Sequence, residues 1–214
     1  YREASGDLTA LDLSTSGSFG NGGGRIYLTA QSAAVTGSSL TMNGSSLEIY
    51  TEGDIALNAL TNAAGGAVTL VSYNGGVDIG TVALTGGALS ASAGGSGADI
   101  TVTRLTTLGG GVSLSADSGS ILKAGSQPAQ IDTADGQGNP AATVSLSAPQ
   151  GSIGTAGNAL QLANVVTLNL DARDAIEVDV AGTLTNLSLA AYGSGLGNLQ
   201  VTNSNFAGLS VTRV

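Results

Sequence analysis

The segment GAVTLVSYNGGVDI, residues 66–79, decides the fold of this chain. Val68, Leu70 and Ser72 occupy alternating positions, which is the period-two pattern of a half-buried β-strand. The turn residues Tyr-Asn-Gly-Gly follow, and the next apolar residue, Val77, comes seven positions after Leu70. That spacing fits one short strand end plus a tight turn. The segment therefore predicts two short strands joined at a corner.

The same pattern recurs along the chain. Its middle position is occupied every 21 residues by Leu28, Ile49, Leu70 and Ala91, and then at wider intervals by Leu114, Leu146, Leu170, Leu189 and Leu209. Two positions earlier stand Ile26, Leu47, Val68, Leu89, Val112, Val144, Leu168, Leu187 and Ala207. Two positions later stand small residues: Ala30, Thr51, Ser72, Ala93, Ala116, Ala148, Ala172, Ala191 and Val211. A repeat of this length indicates a solenoid of stacked strands.

Two further apolar positions complete each coil. The first follows the Leu-rich position by six or seven residues, in the pairs Leu28 with Val35, Ile49 with Ile55, Leu70 with Val77, Leu114 with Ile121, Leu146 with Ile153 and Leu170 with Ile176. The second is an apolar pair such as Leu40 with Met42, Val82 with Leu84, or Leu160 with Leu162. Three strands per coil follow, and parallel crossovers are overwhelmingly right-handed. We predict an all-β, right-handed parallel β-helix of nine or ten coils that forms one domain over residues 1–214.

Composition restricts the classes of function. The chain has 34 Gly, no Cys and no His, and its net charge is −9 with only six basic residues. Those six are scattered, so the electrostatic footprint of nucleic-acid binding is missing. The longest apolar runs are too short for a membrane-spanning helix. We therefore expect neither a nucleic-acid partner nor membrane insertion.

Three segments carry a family resemblance: GAVTLVSYNGGVDI at 66–79, GGVSLSADSGSI at 110–121 and TVSLSAPQGSI at 143–153. They resemble the repetitive β-helical shafts of filamentous haemagglutinin-like bacterial surface adhesins, which are exported by two-partner secretion. The resemblance extends from about residue 24 to near the end of the chain. It implies a long extracellular fibre that presents binding regions, and it brings no catalytic residues. The chain lacks an export signal and an Asn-Pro-Asn-Gly-type element, so it resembles a piece of shaft or a processed product.

An insertion is the first candidate for a binding site. The interval from Leu114 to Leu146 is 32 residues, and the excess falls in KAGSQPAQIDTADGQGN, residues 123–139. Loops that protrude from a solenoid often collect on its binding face. The insertion is therefore either a recognition loop, with Lys123, Gln127, Asp132 and Asp135 as the candidate residues, or a neutral surface excursion.

Tyr27, Tyr50 and Tyr73 fall on successive coils, shifted along one edge. Exposed aromatic rings can stack on sugar rings while neighbouring Ser and Thr side chains bind hydroxyl groups. Tyrosines also simply cover a rim, with their hydroxyl groups in water. The three residues are thus either glycan-facing aromatics or a structural edge.

Carboxylates concentrate at Asp171, Asp174, Glu177 and Asp179. Hard cations need several oxygen ligands at one point, but a solvated face that blocks sheet association explains the same pattern. The segment GGSGADITV at 94–102 superficially matches a calcium-binding nonapeptide, yet Thr101 stands where the large apolar residue belongs. We interpret it as a turn, and we expect no metal and no cofactor.

Enzymes that process polysaccharides, such as lyases and depolymerases, also use parallel β-helices, so the fold leaves that class open. Such enzymes need proton-transfer groups that converge in a cleft. Arg173, beside Asp171 and Asp174, is the basic residue within a carboxylate cluster, and we predict no catalytic residue. A single Thr-rich row, TVTRLTT at 101–107, offers only weak support for an ice-binding solenoid.

The sequence as a whole favours a non-catalytic structural and adhesive β-helix outside a Gram-negative cell, either on its surface or in a filament of a biofilm. Ser90, Ser113, Ser145 and Ser188 are predicted to lie on its outer face. Neither YREASGDLTALDL nor LSVTRV shows a cap, and unpaired coil ends are templates for further pairing. We therefore expect self-association, end-to-end or lateral, or covalent continuation in a longer precursor. Host or matrix glycans are the other expected partners.

Overall fold

The computed structural model describes residues 2–3, 8–9, 12–14, 25–30, 34–37, 39–127, 129–191 and 199–213. Regular secondary structure in these ranges is β throughout, and the strands join in one sheet of 20 strands. In chain order they are β1 (Arg2–Glu3), β2 (Leu8–Thr9), β3 (Asp12–Ser14), β4 (Arg25–Ala30), β5 (Val35–Gly37), β6 (Ser39–Met42), β7 (Ser46–Thr51), β8 (Ile55–Asn62), β9 (Val68–Ser72), β10 (Val77–Leu84), β11 (Leu89–Ala93), β12 (Ile100–Thr106), β13 (Val112–Ala116), β14 (Ile121–Lys123), β15 (Ile131–Asp132), β16 (Ala142–Ala148), β17 (Leu160–Ala163), β18 (Val165–Ala172), β19 (Ile176–Ala191) and β20 (Leu199–Arg213).

Each strand pairs in parallel with the equivalent strand one coil earlier and one coil later. β7, for example, pairs with β4 on one side and with β9 on the other. We call this first side of the coil face A, the side that contains β5 face B, and the side that contains β6 face C; β8, β10 and β12 run from face B onto face C. The parallel β-helix predicted from the repeat is confirmed. It has about eight turns, fewer than predicted, because the later coils use more residues per turn.

The predicted columns stack in register inside the coil. On face A, Leu28 lies opposite Ile49, and the series continues through Leu70, Ala91 and Leu114 to Leu189. On face B the column is Val35, Ile55, Val77, Ile100, Ile121, Ile153 and Ile176. On face C it is Leu40, Leu60, Val82, Leu105, Ile131, Leu162 and Val180. These face B and face C side chains are all buried in one hydrophobic core.

The ninth copy of the repeat is out of the predicted register. Val211 lies opposite Leu187, and Arg213 lies opposite Leu189, where Leu209 was predicted. The cause is that β20 uses four residue steps between Phe206 and Ser210, whereas β19 uses two between Leu184 and Asn186. The prediction for the last copy was therefore wrong. Most of YREASGDLTALDL lies outside the described residues.

Glycines form a second kind of column at the corner between faces C and A. A Cβ atom built on Gly66, Gly87 or Gly110 would meet backbone atoms of the coil below, closer than real Cβ contacts occur. For Gly87 the obstructing atom is the carbonyl oxygen of Gly66, and for Gly110 it is that of Gly87. Each glycine therefore lets the next coil approach to hydrogen-bonding distance, which is the close approach that only glycine permits.

Asn62 is a polar residue inside the same corner, with 0% of its surface exposed. Its Oδ1 accepts a hydrogen bond from the Gly44 amide at 2.9 Å, and its Nδ2 donates to the Ser45 carbonyl at 2.9 Å and to the Gly66 carbonyl at 3.0 Å. These contacts join two successive coils. A buried side-chain amide is tolerated here because all three polar contacts are made.

Candidate functional site

Face A carries two outward rows of small polar residues, which we call the hydroxyl rows. The first consists of Thr69, Ser90, Ser113, Ser145, Asn169 and Ser188, and the second of Ser92, Ser115, Ser147 and Asp171. Their register follows from the strand pairing, since alternate residues of a strand share one face. The four serines predicted for the outer face are members of the first row. Six consecutive coils thus present uncharged hydrogen-bonding groups in the first row.

A shallow groove of about 370 Å³ lies on the C-terminal half of these rows. Asn169 Nδ2 donates to Ser145 Oγ at 3.0 Å, and Ser147 Oγ donates to Asp171 Oδ2 at 3.4 Å. The other carboxylate oxygen of Asp171, Oδ1, is buried and has no hydrogen-bond partner. The groove therefore joins hydroxyl and amide groups that bond one another across coils to a single carboxylate.

The three predicted tyrosines lie on the N-terminal half of face A. Tyr27 and Tyr73 are exposed, at 46% and 52%, and Tyr50 is half-buried. The ring centroids of Tyr27 and Tyr50 are 5.5 Å apart, with the planes tilted by 38°. Tyr73 comes directly after β9, on the coil above Tyr50. The structure thus brings Tyr27 and Tyr50 into contact and places Tyr73 one coil further along.

An ion pair fixes the polar side chains around these rings. Arg25 Nε donates to Glu48 Oε1 at 2.6 Å, and Arg25 Nη2 also bonds Glu48 Oε2. The hydrogen bond from Arg25 lowers the pKa of Glu48, and the Tyr50 hydroxyl donates to the same carboxylate at 3.3 Å. The Arg25 guanidinium also lies 5.0 Å from the centre of the Tyr27 ring. Because the Glu48 pKa is depressed, the pair persists until the pH falls below the ordinary glutamate range.

The insertion at 123–139 is not one protruding loop. Ile131 of β15 is fully buried and pairs with Leu105 below and Leu162 above, so the middle of the insertion is a strand of the core. The exposed parts that the structure describes are two short tips, at 125–127 and 136–139. Sequence reasoning missed this strand because a single apolar residue among polar ones carries no periodicity.

The candidate recognition residues of the insertion hold its local structure. Lys123 ends β14, and its Nζ donates to Gln161 Oε1 at 3.4 Å. Asp132 Oδ1 accepts hydrogen bonds from Asn164 Nδ2 and from the Ala134 amide.

The other two candidates belong to the tips. Gln127 is exposed, and its carbonyl accepts a bond from Gln130 Nε2 at 2.9 Å. Asp135 Oδ1 accepts bonds from the amides of Gln137 and Asn139, and the bonds from Asn139 contribute most to lowering the Asp135 pKa. The exposed part of the insertion that is available to a partner is therefore the surface of its two tips.

Replacing Ile131 by alanine is expected to lower the free energy of unfolding by about 2–5 kcal/mol, because the cavity left in the face C column cannot close. Thermal or urea unfolding followed by far-UV circular dichroism measures this. Gln127→Ala, in the exposed tip of the same insertion, is the matched control and should change stability by less than about 0.5 kcal/mol. Equal effects of the two substitutions would show that β15 contributes nothing to the core.

The acidic residues after Leu170 do not form one face. Glu177 is only 4% exposed, and its Oε2 accepts a hydrogen bond from the Gly157 amide at 3.1 Å, so it lies under the loop that precedes β17. Asp174 is exposed, and Asp171 lies on face A. The interpretation of all four as a solvated face is wrong for Glu177. In the part of the chain that the structure describes, no three acidic, Cys or His residues are placed to hold a metal ion.

The segment at 94–102 contains a turn, with Gly97 at a φ of 68°. Asp99 Oδ1 accepts a hydrogen bond from the Ser120 amide at 2.7 Å, which joins two coils at the corner before face B. In the Thr-rich segment at 101–107, Thr107 is buried and Thr101 Oγ1 donates to Asp78 Oδ1 at 2.7 Å. Arg173 is exposed at the corner after β18, where its amide bonds backbone carbonyls.

The comparisons with known proteins give no family for this chain. No protein-family model, no curated protein and no solved structure matches it. Among the residues that the structure describes, no helix is long and apolar enough to span a bilayer. Any functional conclusion must therefore come from the surfaces described above.

Proposed function

We propose that the chain is a non-catalytic segment of an extracellular bacterial surface fibre that attaches cells to one another or to a matrix. In this proposal it is similar in construction to the shafts of filamentous haemagglutinin-like adhesins, and it acts at the cell surface of a Gram-negative bacterium. The observation that carries the proposal is face A, where hydroxyl rows continue over successive coils of a parallel solenoid. Such a surface suits many weak, repeated contacts.

The construction of the coil supports a mechanical role. Every strand between the first and last coils is hydrogen-bonded on both edges, so pulling on the shaft loads many backbone hydrogen bonds at once. Interior columns of Leu, Ile and Val bury the apolar side chains without disulfides. Stability of this kind is additive over neighbouring coils, and it does not depend on a single closed core.

The composition of face A supports attachment. Its hydroxyl rows contain one carboxylate, Asp171, and no basic residue. Hydroxyl and amide groups bind polyhydroxylated or peptide surfaces without the electrostatic selectivity of charged side chains. Glycans of a host or of a matrix, and further copies of the shaft, are the proposed partners.

The test is retention without turnover. The purified chain is incubated with bacterial cells and with immobilised glycans, and both bound protein and new reducing or unsaturated sugar ends are measured. We expect retention and no new ends. Accumulation of new ends would instead establish the competing function, a polysaccharide-processing lyase or depolymerase. Absence of retention on every surface would contradict the adhesive function.

The contribution of the insertion is tested with its tips, because a deletion of 123–139 would remove the core residue Ile131. Gln127→Ala combined with Gln137→Ala alters both exposed tips and leaves the hydrogen bonds of Asp132 and Asp135 in place. Reduced retention on cells would assign recognition to the insertion. Unchanged retention would identify it as a neutral surface excursion.

A further inference from the structure

We propose that Tyr27, Tyr50 and Tyr73 form a stacking surface for a neutral polysaccharide chain that crosses face A obliquely. This inference rests on the proposed adhesive function and names the class of ligand. The tyrosines are 23 residues apart, one 21-residue coil plus two residues. Each step therefore rises one strand, about 4.8 Å, and advances two residues, about 7 Å, so successive Cα atoms are about 8 Å apart.

Exposure of the rings is the first observation behind this proposal. Only 3% of the chain is aromatic, yet the exposed large hydrophobic side chains of the described residues are Tyr27, Tyr73 and Leu108. The C–H faces of sugar rings pack on aromatic rings because both are apolar, and the phenol hydroxyl adds a hydrogen bond. A diagonal of three rings offers such contacts to consecutive parts of one extended chain.

Preorganised polar groups beside the rings are the second observation. Glu48 is held by Arg25 and by the Tyr50 hydroxyl, and Asn74 Nδ2 bonds Glu52 Oε2 next to Tyr73. Side chains that are already fixed lose little conformational entropy when a ligand binds. The remaining oxygen and nitrogen sites of these groups are available to sugar hydroxyls, which both donate and accept hydrogen bonds.

The charges around the tyrosines favour a neutral ligand. The charge of Arg25 is compensated by Glu48, and Glu52 adds a negative charge beside Tyr73. The chain as a whole carries a net charge of −9. An acidic polysaccharide is therefore repelled both locally and by the long-range field, whereas a neutral one is not.

The test measures retention on three immobilised neutral polysaccharides, namely cellulose, mannan and dextran, with alginate as the acidic comparison. The double variant Tyr27→Ala with Tyr73→Ala is compared with Tyr27→Phe with Tyr73→Phe, which keeps both rings, and with Leu108→Ala, which removes an exposed apolar side chain elsewhere. We expect wild-type binding to at least one neutral polysaccharide and not to alginate. The alanine pair should bind about tenfold more weakly, while the phenylalanine pair and Leu108→Ala stay within about threefold.

Several outcomes would overturn the inference. They are equal binding by the alanine pair and the wild type, a preference for alginate, no binding to any neutral polysaccharide, and a change only in sedimentation, which would identify the tyrosines as a contact between copies of the chain. Far-UV circular dichroism checks that each variant is folded. If the wild type is retained on cells and the alanine pair is retained equally, the tyrosine surface is excluded while the adhesive function stands. If the wild type is retained on nothing, the adhesive function itself fails.

Discussion

Gly110→Ala is expected to lower the free energy of unfolding by about 3 kcal/mol, at the upper end of the usual cost of overpacking. The added Cβ would meet the carbonyl oxygen and carbon of Gly87 and the amide nitrogen of Ala88. All three are backbone atoms, so no side-chain rotation relieves the clash. The coils must move apart, which weakens the hydrogen bonds between them on both sides of the corner. Urea unfolding followed by circular dichroism measures the loss.

The matched control for this prediction is Gly136→Ala in the second tip of the insertion. A Cβ at Gly136 meets nothing within 4 Å, and the residue is exposed. Its substitution should leave stability within about 0.5 kcal/mol of the wild type or raise it slightly, since alanine restricts the unfolded chain more than glycine does. If Gly110→Ala were as mild as Gly136→Ala, the coils would not be in the close contact described at this corner.

Asn62→Ala is expected to cost about 3 kcal/mol as well, but for a polar reason. The substitution leaves the Gly44 amide and the Ser45 and Gly66 carbonyls without their partner in a corner that water does not reach. Each buried polar group left unsatisfied costs about 1–3 kcal/mol, and relaxation recovers part of the sum. Faster hydrogen exchange of the Gly44 amide should accompany the lower stability.

Asn58→Ala serves as the control, because Asn58 is an exposed asparagine of the same strand, β8. Its replacement should change stability by less than about 0.5 kcal/mol. Asn62→Asp adds a second test, since it keeps the shape and the acceptor while it removes both donated hydrogen bonds and buries a charge. An Asn62→Asp protein as stable as the wild type would contradict the role assigned to the side-chain amide.

The fold was predictable to the level of its columns. Leu28, Ile49 and Leu70 lie opposite one another as the 21-residue interval required, and so do Val35, Ile55 and Val77. The prediction succeeded because strands that stack in register repeat the same residue type at the same inward position. It failed at Leu209, where extra residues at a corner changed the register without changing the local strand pattern.

The candidate surfaces were predictable only in part. The outward serines follow from the same alternation that places the core, so Ser90 and Ser113 could be assigned to face A in advance. The contact between Tyr27 and Tyr50 and the ion pair that holds Glu48 depend on side-chain conformation across two coils. No spacing along the chain encodes those conformations.

By itself the sequence determined that this protein is a parallel β-helix and which residues face its interior, because alternation and a constant coil length are local properties repeated many times. The tertiary structure alone decided which exceptions to the pattern are part of the core. Ile131 completes the face C column, Glu177 is covered by a loop, and Asn62 closes a corner. Each of these positions depends on the coils above and below, which lie 17 to 38 residues away in sequence and only one strand spacing away in space.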